Sequence, residues 1–124
     1  STAVQYKLPI KIFILNNQYM GMVRQWQELL HEKNYSESYT AALPDFVKLA
    51  EAYGCVGIQA TKPDELDEKI NEMINIKEPV IFDCRVDPAE NCYPMIPSGK
   101  PHNQMLLGPE DEKEEVSDEG KTLV

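Results

Sequence analysis

Short apolar runs alternate with stretches whose apolar residues recur every three or four positions, and this alternation organises the chain from Ile10 to Val86. Ile10–Leu15 reads as a strand, and a helix follows from near Gly21, where Met22, Trp26, Leu29 and Leu30 fall on one face. The polar stretch from Glu32 to Thr40 leads to a second helix, with Pro44 in its first turn, Phe46, Val47, Ala50 and Tyr53 as its stripe, and Gly54 as its C-terminal cap. Cys55–Ala60 predicts a strand. Thr61 and Asp64 then resemble a capping box with Asp in place of Glu, and Pro63 lies inside the first turn. Leu66, Ile70, Met73 and Ile74 repeat the helical stripe, and Val80–Val86 is a third strand, apolar enough at its start to be covered on both faces. Ser1 to Tyr6 read as the tail of a further helix.

The order β-α-α-β-α-β implies an α/β fold with parallel strands and right-handed crossovers, a partial doubly wound sheet of three strands with flanking helices. Ligands in such sheets bind beyond the carboxyl ends of the strands. At that position Ile12-Phe13-Ile14-Leu15 runs into Asn16-Asn17 and then Gln18-Tyr19-Met20-Gly21-Met22-Val23-Arg24-Gln25-Trp26. Mg²⁺ takes near-octahedral oxygen ligands and is commonly held by one or two protein groups together with substrate phosphates and water. If a diphosphate supplies anionic oxygens, the Asn17 side-chain carbonyl and the Tyr19 backbone carbonyl can fill remaining positions without adding charge. A helix starting near Gly21 would turn its unpaired N–H groups toward the phosphates. The residues alone leave a plainer reading open, because Asn also tolerates left-handed turns and caps helices.

The stretch Leu15–Trp26 closely resembles the end of the thiamine diphosphate motif in the large catalytic subunit of acetohydroxyacid synthase, also called acetolactate synthase. The resemblance continues at Leu43-Pro44-Asp45-Phe46-Val47-Lys48-Leu49-Ala50-Glu51-Ala52-Tyr53-Gly54, at Pro79-Val80-Ile81-Phe82 and at Pro94-Met95-Ile96-Pro97-Ser98-Gly99, covering residues 1 to about 107. Paired Asn is shared by many thiamine diphosphate enzymes, whereas Gly-Met-Val followed by Gln-Trp is more particular to this family. The resemblance implies the C-terminal half of a thiamine diphosphate-binding domain, with residues 87–107 as a closing segment; beyond it, 108–124 read as an acidic, disordered tail. It implies cofactor contacts from Asn17, Tyr19, Met20, Gly21, Met22 and Val23, with Asn17 and Tyr19 on the metal. It implies a substrate or inhibitor channel lined by Met22, Val23, Trp26 and Ser98. Helical periodicity alone would instead make Trp26, Met22 and Val23 packing residues. Lys100 follows Ser98-Gly99 where plant members often have another Gly.

The activity implied is carboligation: pyruvate loses CO₂ and the remaining two-carbon unit joins pyruvate or 2-oxobutyrate, the first common step of branched-chain amino acid biosynthesis. A ring at Trp26 would favour ethyl over methyl only modestly, since one methylene is worth about 1–3 kcal/mol. The family motif opens with Gly-Asp-Gly, which this sequence lacks. The Asp that completes the metal site, the activating Glu of the pyrimidine-binding domain and the FAD domain are therefore not in it. The chain reads as a C-terminal piece of a larger enzyme, with no catalytic acid or base of its own and no turnover alone. Its expected partners are the rest of the catalytic subunit, a homodimer or higher oligomer of the parent, and a regulatory small subunit. Another thiamine diphosphate carboligase and a non-catalytic α/β binding module are the alternatives.

Charge and composition restrict the picture further. The net charge of −9 argues against a nucleic-acid or anionic-membrane surface. Arg24 is the one basic side chain between Asn16 and Glu28, so a diphosphate there needs a metal ion. No apolar run approaches the roughly twenty residues of a membrane span, and no signal peptide is evident; the expected location is the cytoplasm. Cys55, Cys84 and Cys92 lack metal or redox spacing, and the first two sit in predicted strands as small hydrophobes. His31 and His102 read as exposed. Pro88, Pro94, Pro97, Pro101 and Pro109 disfavour regular structure beyond Asp87, and the acidic run from Glu110 to Glu119 is expected to stay solvated and disordered.

Overall fold

The computed structural model describes residues 1–109. The acidic run from Glu110 to Glu119, for which the sequence predicts disorder, lies outside the described residues. The chain divides into two compact units, one formed by Ser1–Gln18 with Ala41–Pro88 and the other by Tyr19–Thr40 with the chain from Ala89 onward.

The first unit opens with the short helix α1 (Thr2–Gln5) and is built on three strands, β1 (Lys11–Asn16), β2 (Val56–Ala60) and β3 (Val80–Arg85). They form one sheet in the order β1-β3-β2, parallel throughout, as the sequence pattern requires. The central strand β3 is the most apolar at its start, and Val80 and Phe82 are fully buried there. In register, Val80 pairs with Val56, Phe82 with Ile58 and Cys84 with Ala60. These six positions share one face, and Ile58, Ala60, Val80, Phe82 and Cys84 form the core with Met73. Phe13 of β1 stacks on Phe82 with ring centroids 4.6 Å apart.

Helix α3 (Phe46–Ala52) covers the other face. Gly57 permits this: a Cβ there would lie 2.8 Å from both the Cα and the carbonyl oxygen of Val47. The backbones of β2 and α3 approach more closely than a side chain allows. Pro44 falls outside α3. The helix begins after Asp45, whose carboxylate accepts the Val47 and Lys48 N–H groups at 3.1 Å each. It ends as expected, with Gly54 at φ +75° and the Gly54 and Cys55 N–H groups returning to Glu51 and Ala50. Cys55 is thus part of that cap, and β2 starts one residue later.

A 3₁₀ turn (Pro63–Glu65) leads into α4 (Leu66–Asn75). The acid that caps this start is Glu65, not Asp64: its Oε1 accepts the Thr61 and Lys62 N–H groups. Leu66, Ile70 and Met73 turn inward, while Ile74 is exposed although its neighbour Met73 in the same turn packs into the core. Tyr53 is likewise exposed at the end of α3.

Hydrogen bonds to the charged form hold both capping carboxylates below the usual range: from Lys48 N–H first for Asp45, and from Thr61 N–H first for Glu65. A carboxylate whose folded pKa is depressed stabilises the fold above its unfolded pKa and loses that contribution as pH falls through the folded value. Loss of helix is therefore expected below about pH 4, the ordinary carboxylate range. Acid titration followed by far-ultraviolet circular dichroism checks this, with Asp45→Asn and Glu65→Gln together flattening the acid limb.

The second unit is organised by α2 (Gly21–Leu30). After it the chain returns so that Tyr39 pairs antiparallel with Tyr19, and Met95 pairs with Leu106 farther on. Pro97 and Lys100 close a turn through Lys100 N–H to Pro97 O at 3.1 Å, with Gly99 at φ +78° in the position where such turns call for glycine. Among the described residues, no helix is long and apolar enough to cross a membrane.

Candidate functional site

At the carboxyl end of β1 the two adjacent amides differ in burial. Asn16 is 5% exposed; its Nδ2 donates to Asp83 Oδ1 at 2.8 Å and its Oδ1 accepts the Gln18 N–H at 3.1 Å. The other oxygen of Asp83 accepts Gln59 Nε2 at 2.9 Å and lies 3.4 Å from Arg85 Nε. A carboxylate within a sheet is costly to bury unless donors surround it. Here each of the three strands supplies one, so Asp83 ties the strand ends together.

Asn16 also fixes the turn. Gln18 adopts φ +61°, a left-handed conformation that costs a non-glycine residue on the order of 1–2 kcal/mol. The Asn16 oxygen holds it there, ending the extended direction of β1. Asn17 lies between them, half-buried and one residue beyond the strand's carboxyl end.

The remaining residues singled out by the sequence belong to the second unit. The Tyr19 ring lies 5.1 Å from that of Tyr39, and Met20 N–H donates to Ser38 O at 2.8 Å. Met20 stands at the N-cap of α2. No side chain caps this end and the first turn carries no acid, so nothing there repels an anion. Met20, Met22 and Val23 are exposed, Gly21 and Trp26 half-buried. Ser98 is half-buried in the Pro97–Lys100 turn.

The apolar stripe is therefore not the buried face of α2. Leu30 is buried, but with it go Arg24 and Gln25, at 8% and 1% exposure. Arg24 pairs with Glu28 at 2.6 Å, donates to Asn91 Oδ1 at 3.0 Å, and lies over the rings of Tyr19 and Tyr35. Gln25 brackets one residue of the later segment: its Nε2 donates to Cys92 O at 3.1 Å and its Oε1 accepts Cys92 N–H at 2.7 Å. Hydrogen-bond partners, rather than hydrophobicity, decide which side of this helix is covered.

Among the described residues, no three His, Cys, Asp or Glu side chains are grouped to hold a metal. A cation held by this chain would rely on neutral oxygens, with phosphate, water or other protein groups completing the shell. The Asn17 amide is such a donor, and the uncapped, acid-free start of α2 suits a diphosphate. The residues present fit that group. Burial, with help from the Asp83 charge, pushes the Cys84 thiol up, so this buried cysteine is a poor nucleophile. His102 is exposed and His31 half-buried.

The family model described as "Thiamine pyrophosphate enzyme, C-terminal TPP binding domain" matches residues 1–84. The chain belongs to this family of thiamine pyrophosphate enzymes. Within it, the sequence is similar to acetolactate synthase large subunits. It is 46% identical to that of Haemophilus influenzae over 114 residues, covering 91% of this chain and 20% of the relative. It is 50% identical to that of Cyanidium caldarium over 106 residues, 85% of this chain and 18% of the relative. To isozyme 3 of Escherichia coli K12 it is 46% identical over 110 residues, 86% of this chain and 19% of the relative. The chain thus spans about a fifth of these relatives' length. Among solved structures, it resembles the thiamine diphosphate-dependent 4-hydroxybenzoylformate decarboxylase of Rhodococcus jostii RHA1, with TM-score 0.62 and 28% identity over 69% of this chain and 16% of that one.

Asp83 interrupts an apolar run, and that interruption is the sequence signal of its role. A single acid in the otherwise apolar run Val80–Cys84 must find donors if the strand is central, and its neighbours along the strand ends were the candidates.

Proposed function

We propose that this chain is the part of an acetolactate synthase large subunit that anchors the diphosphate of thiamine diphosphate through Mg²⁺ and shapes the approach to it. Residues 1–107 are read as one portion of the cofactor domain, with 87–107 as its closing segment. The parent enzyme would condense pyruvate with pyruvate or 2-oxobutyrate, releasing CO₂, at the head of branched-chain amino acid synthesis. The observation that carries this reading is the division of labour between the paired amides. Asn16 is committed to Asp83 and the turn, which supports Asn17, just beyond the strand end, as the amide that meets the metal in this reading.

In this reading the Asn17 side-chain oxygen and the Tyr19 carbonyl bind Mg²⁺. The first N–H groups of α2, from Gly21 to Val23, orient the diphosphate oxygens. Bound thiamine diphosphate supplies the carbon nucleophile and electron sink for decarboxylation and carbon–carbon bond formation. Met20, Met22 and Val23 present apolar surface that excludes water from it. Trp26 and Ser98 shape the channel for the second 2-oxoacid. No residue of this chain moves a proton in the reaction. The activating carboxylate, the metal-ligating carboxylate and the FAD site belong to the rest of the subunit, which works in the cytoplasm as a dimer or higher oligomer with a regulatory subunit.

The test uses the intact parent protein. Acetolactate should form from pyruvate, stop when chelation removes Mg²⁺, and return when Mg²⁺ and thiamine diphosphate are restored. Residues 1–124 alone should give no turnover. Turnover that survives complete removal of the metal and cofactor would contradict the reading.

A further inference from the structure

Arg24 is the one cation close in sequence to the proposed diphosphate site, yet its charge is spent inside its own unit. Its side chain is 9% exposed and pairs with Glu28, itself 13% exposed, at 2.6 Å through Nη2. Nη1 donates to Asn91 Oδ1 at 3.0 Å. The guanidinium carbon is 5.7 Å from the Tyr19 ring centre and 5.4 Å from that of Tyr35, and the Tyr35 hydroxyl donates to Glu28 Oε2 at 3.1 Å. One guanidinium therefore joins α2, the returning loop at Tyr35, the segment at Asn91 and Tyr19, two residues before the helix. With both terminal nitrogens engaged, it is poorly placed to serve as a phosphate ligand.

We propose that Arg24 is a positioning residue: it holds Tyr19 so that the backbone carbonyl of that residue keeps the orientation a metal ligand requires. This rests on the reading of Asn17 and Tyr19 as metal ligands. Three contacts constrain Tyr19 and its neighbour from within the same unit: the Arg24 cation against one ring, the Tyr39 ring at 5.1 Å, and the Met20–Ser38 backbone bond at 2.8 Å. Arg24 is the member that reaches all the other segments. A planar guanidinium can contact two rings while its edge bonds a carboxylate and an amide; an ammonium supplies the charge but not this combination. Groups that orient a metal ligand typically change metal affinity 10–100-fold when removed.

The experiment measures half-saturating Mg²⁺ for the cofactor-depleted intact parent enzyme in the presence of thiamine diphosphate, together with pyruvate KM and kcat at saturating Mg²⁺. Arg24→Met should raise half-saturating Mg²⁺ about tenfold, Arg24→Lys should recover part of that loss, and pyruvate KM should hold. A purely structural Arg24 would lower the active fraction while leaving half-saturating Mg²⁺ unchanged. Since Arg24→Met removes the cation paired with Glu28, Tyr35→Leu serves as the milder variant: it removes one aromatic contact and the hydroxyl donor to Glu28 but leaves that carboxylate its Arg24 partner, and it should shift Mg²⁺ dependence in the same direction. If Arg24→Met does not fold, the Tyr35→Leu result decides. Unchanged half-saturating Mg²⁺ in the folded variants, while Asn17→Ala weakens it, overturns the positioning role alone. Unchanged values in Asn17→Ala as well overturn the metal-site reading beneath it.

Discussion

Replacing Asp83 with Ala is expected to destabilise the sheet by several kcal/mol, on the scale of about 1–3 kcal/mol for each buried donor left without its acceptor. The carboxylate is 1% exposed and satisfies Asn16, Gln59 and Arg85 together. Its loss leaves the amide N–H groups of Asn16 and Gln59 without their acceptor, at about 1–3 kcal/mol for each donor that water cannot reach. Arg85 suffers less, because its side chain is 32% exposed and can turn to solvent. Against a typical total stability of about 5–15 kcal/mol, the loss is severe. The function would suffer as well: without Asp83, Asn16 loses its anchor on β3 and keeps only its bond with the Gln18 N–H, so the left-handed turn at Gln18 is less firmly supported. Chemical denaturation of the parent protein, followed by circular dichroism, should show a lower midpoint for Asp83→Ala. Asp83→Asn should be less damaging, as its amide oxygen still accepts one of the two amide donors.

What the sequence revealed about this architecture follows from where hydrophobicity is sufficient information. β3 announces itself because a central parallel strand is covered on both faces, so Val80, Ile81 and Phe82 run together. The glycine at position 54 marks the end of α3 because left-handed caps favour glycine. The paired amides marked the strand-to-helix turn. Their separate roles were hidden, since Asn16 finds its partner 67 residues away in Asp83. The covered side of α2 was hidden for the same reason: Arg24 and Gln25 bond to Asn91 and Cys92, also 67 residues distant. Apolar periodicity gives no information on such partners, and it selected Met22 where Gln25 is buried. The start of α3 was misplaced by a different competition. Pro44 suits a first turn, but Asp45 satisfies two helix N–H groups and so takes the cap, leaving Pro44 outside.

The second large effect concerns Asn17. Its neighbour is held by the sheet, whereas Asn17 stands half-buried past the strand end, and the proposed role for its carboxamide oxygen is to bind Mg²⁺. Alanine removes that oxygen while leaving every bond of Asn16, Asp83 and Gln59 in place. Loss of a direct ligand should weaken the metal by at least the roughly 10–100-fold seen when groups that merely support a ligand are lost. Thiamine diphosphate affinity should fall with it, because in the proposed site the ion holds the diphosphate. The measurement that bears most directly on this is calorimetric titration of Mg²⁺ with thiamine diphosphate into the cofactor-free parent enzyme and its Asn17→Ala variant. The expected result is metal affinity lowered by about two orders of magnitude in a variant that keeps its fold; equal affinity in the two proteins would contradict the account.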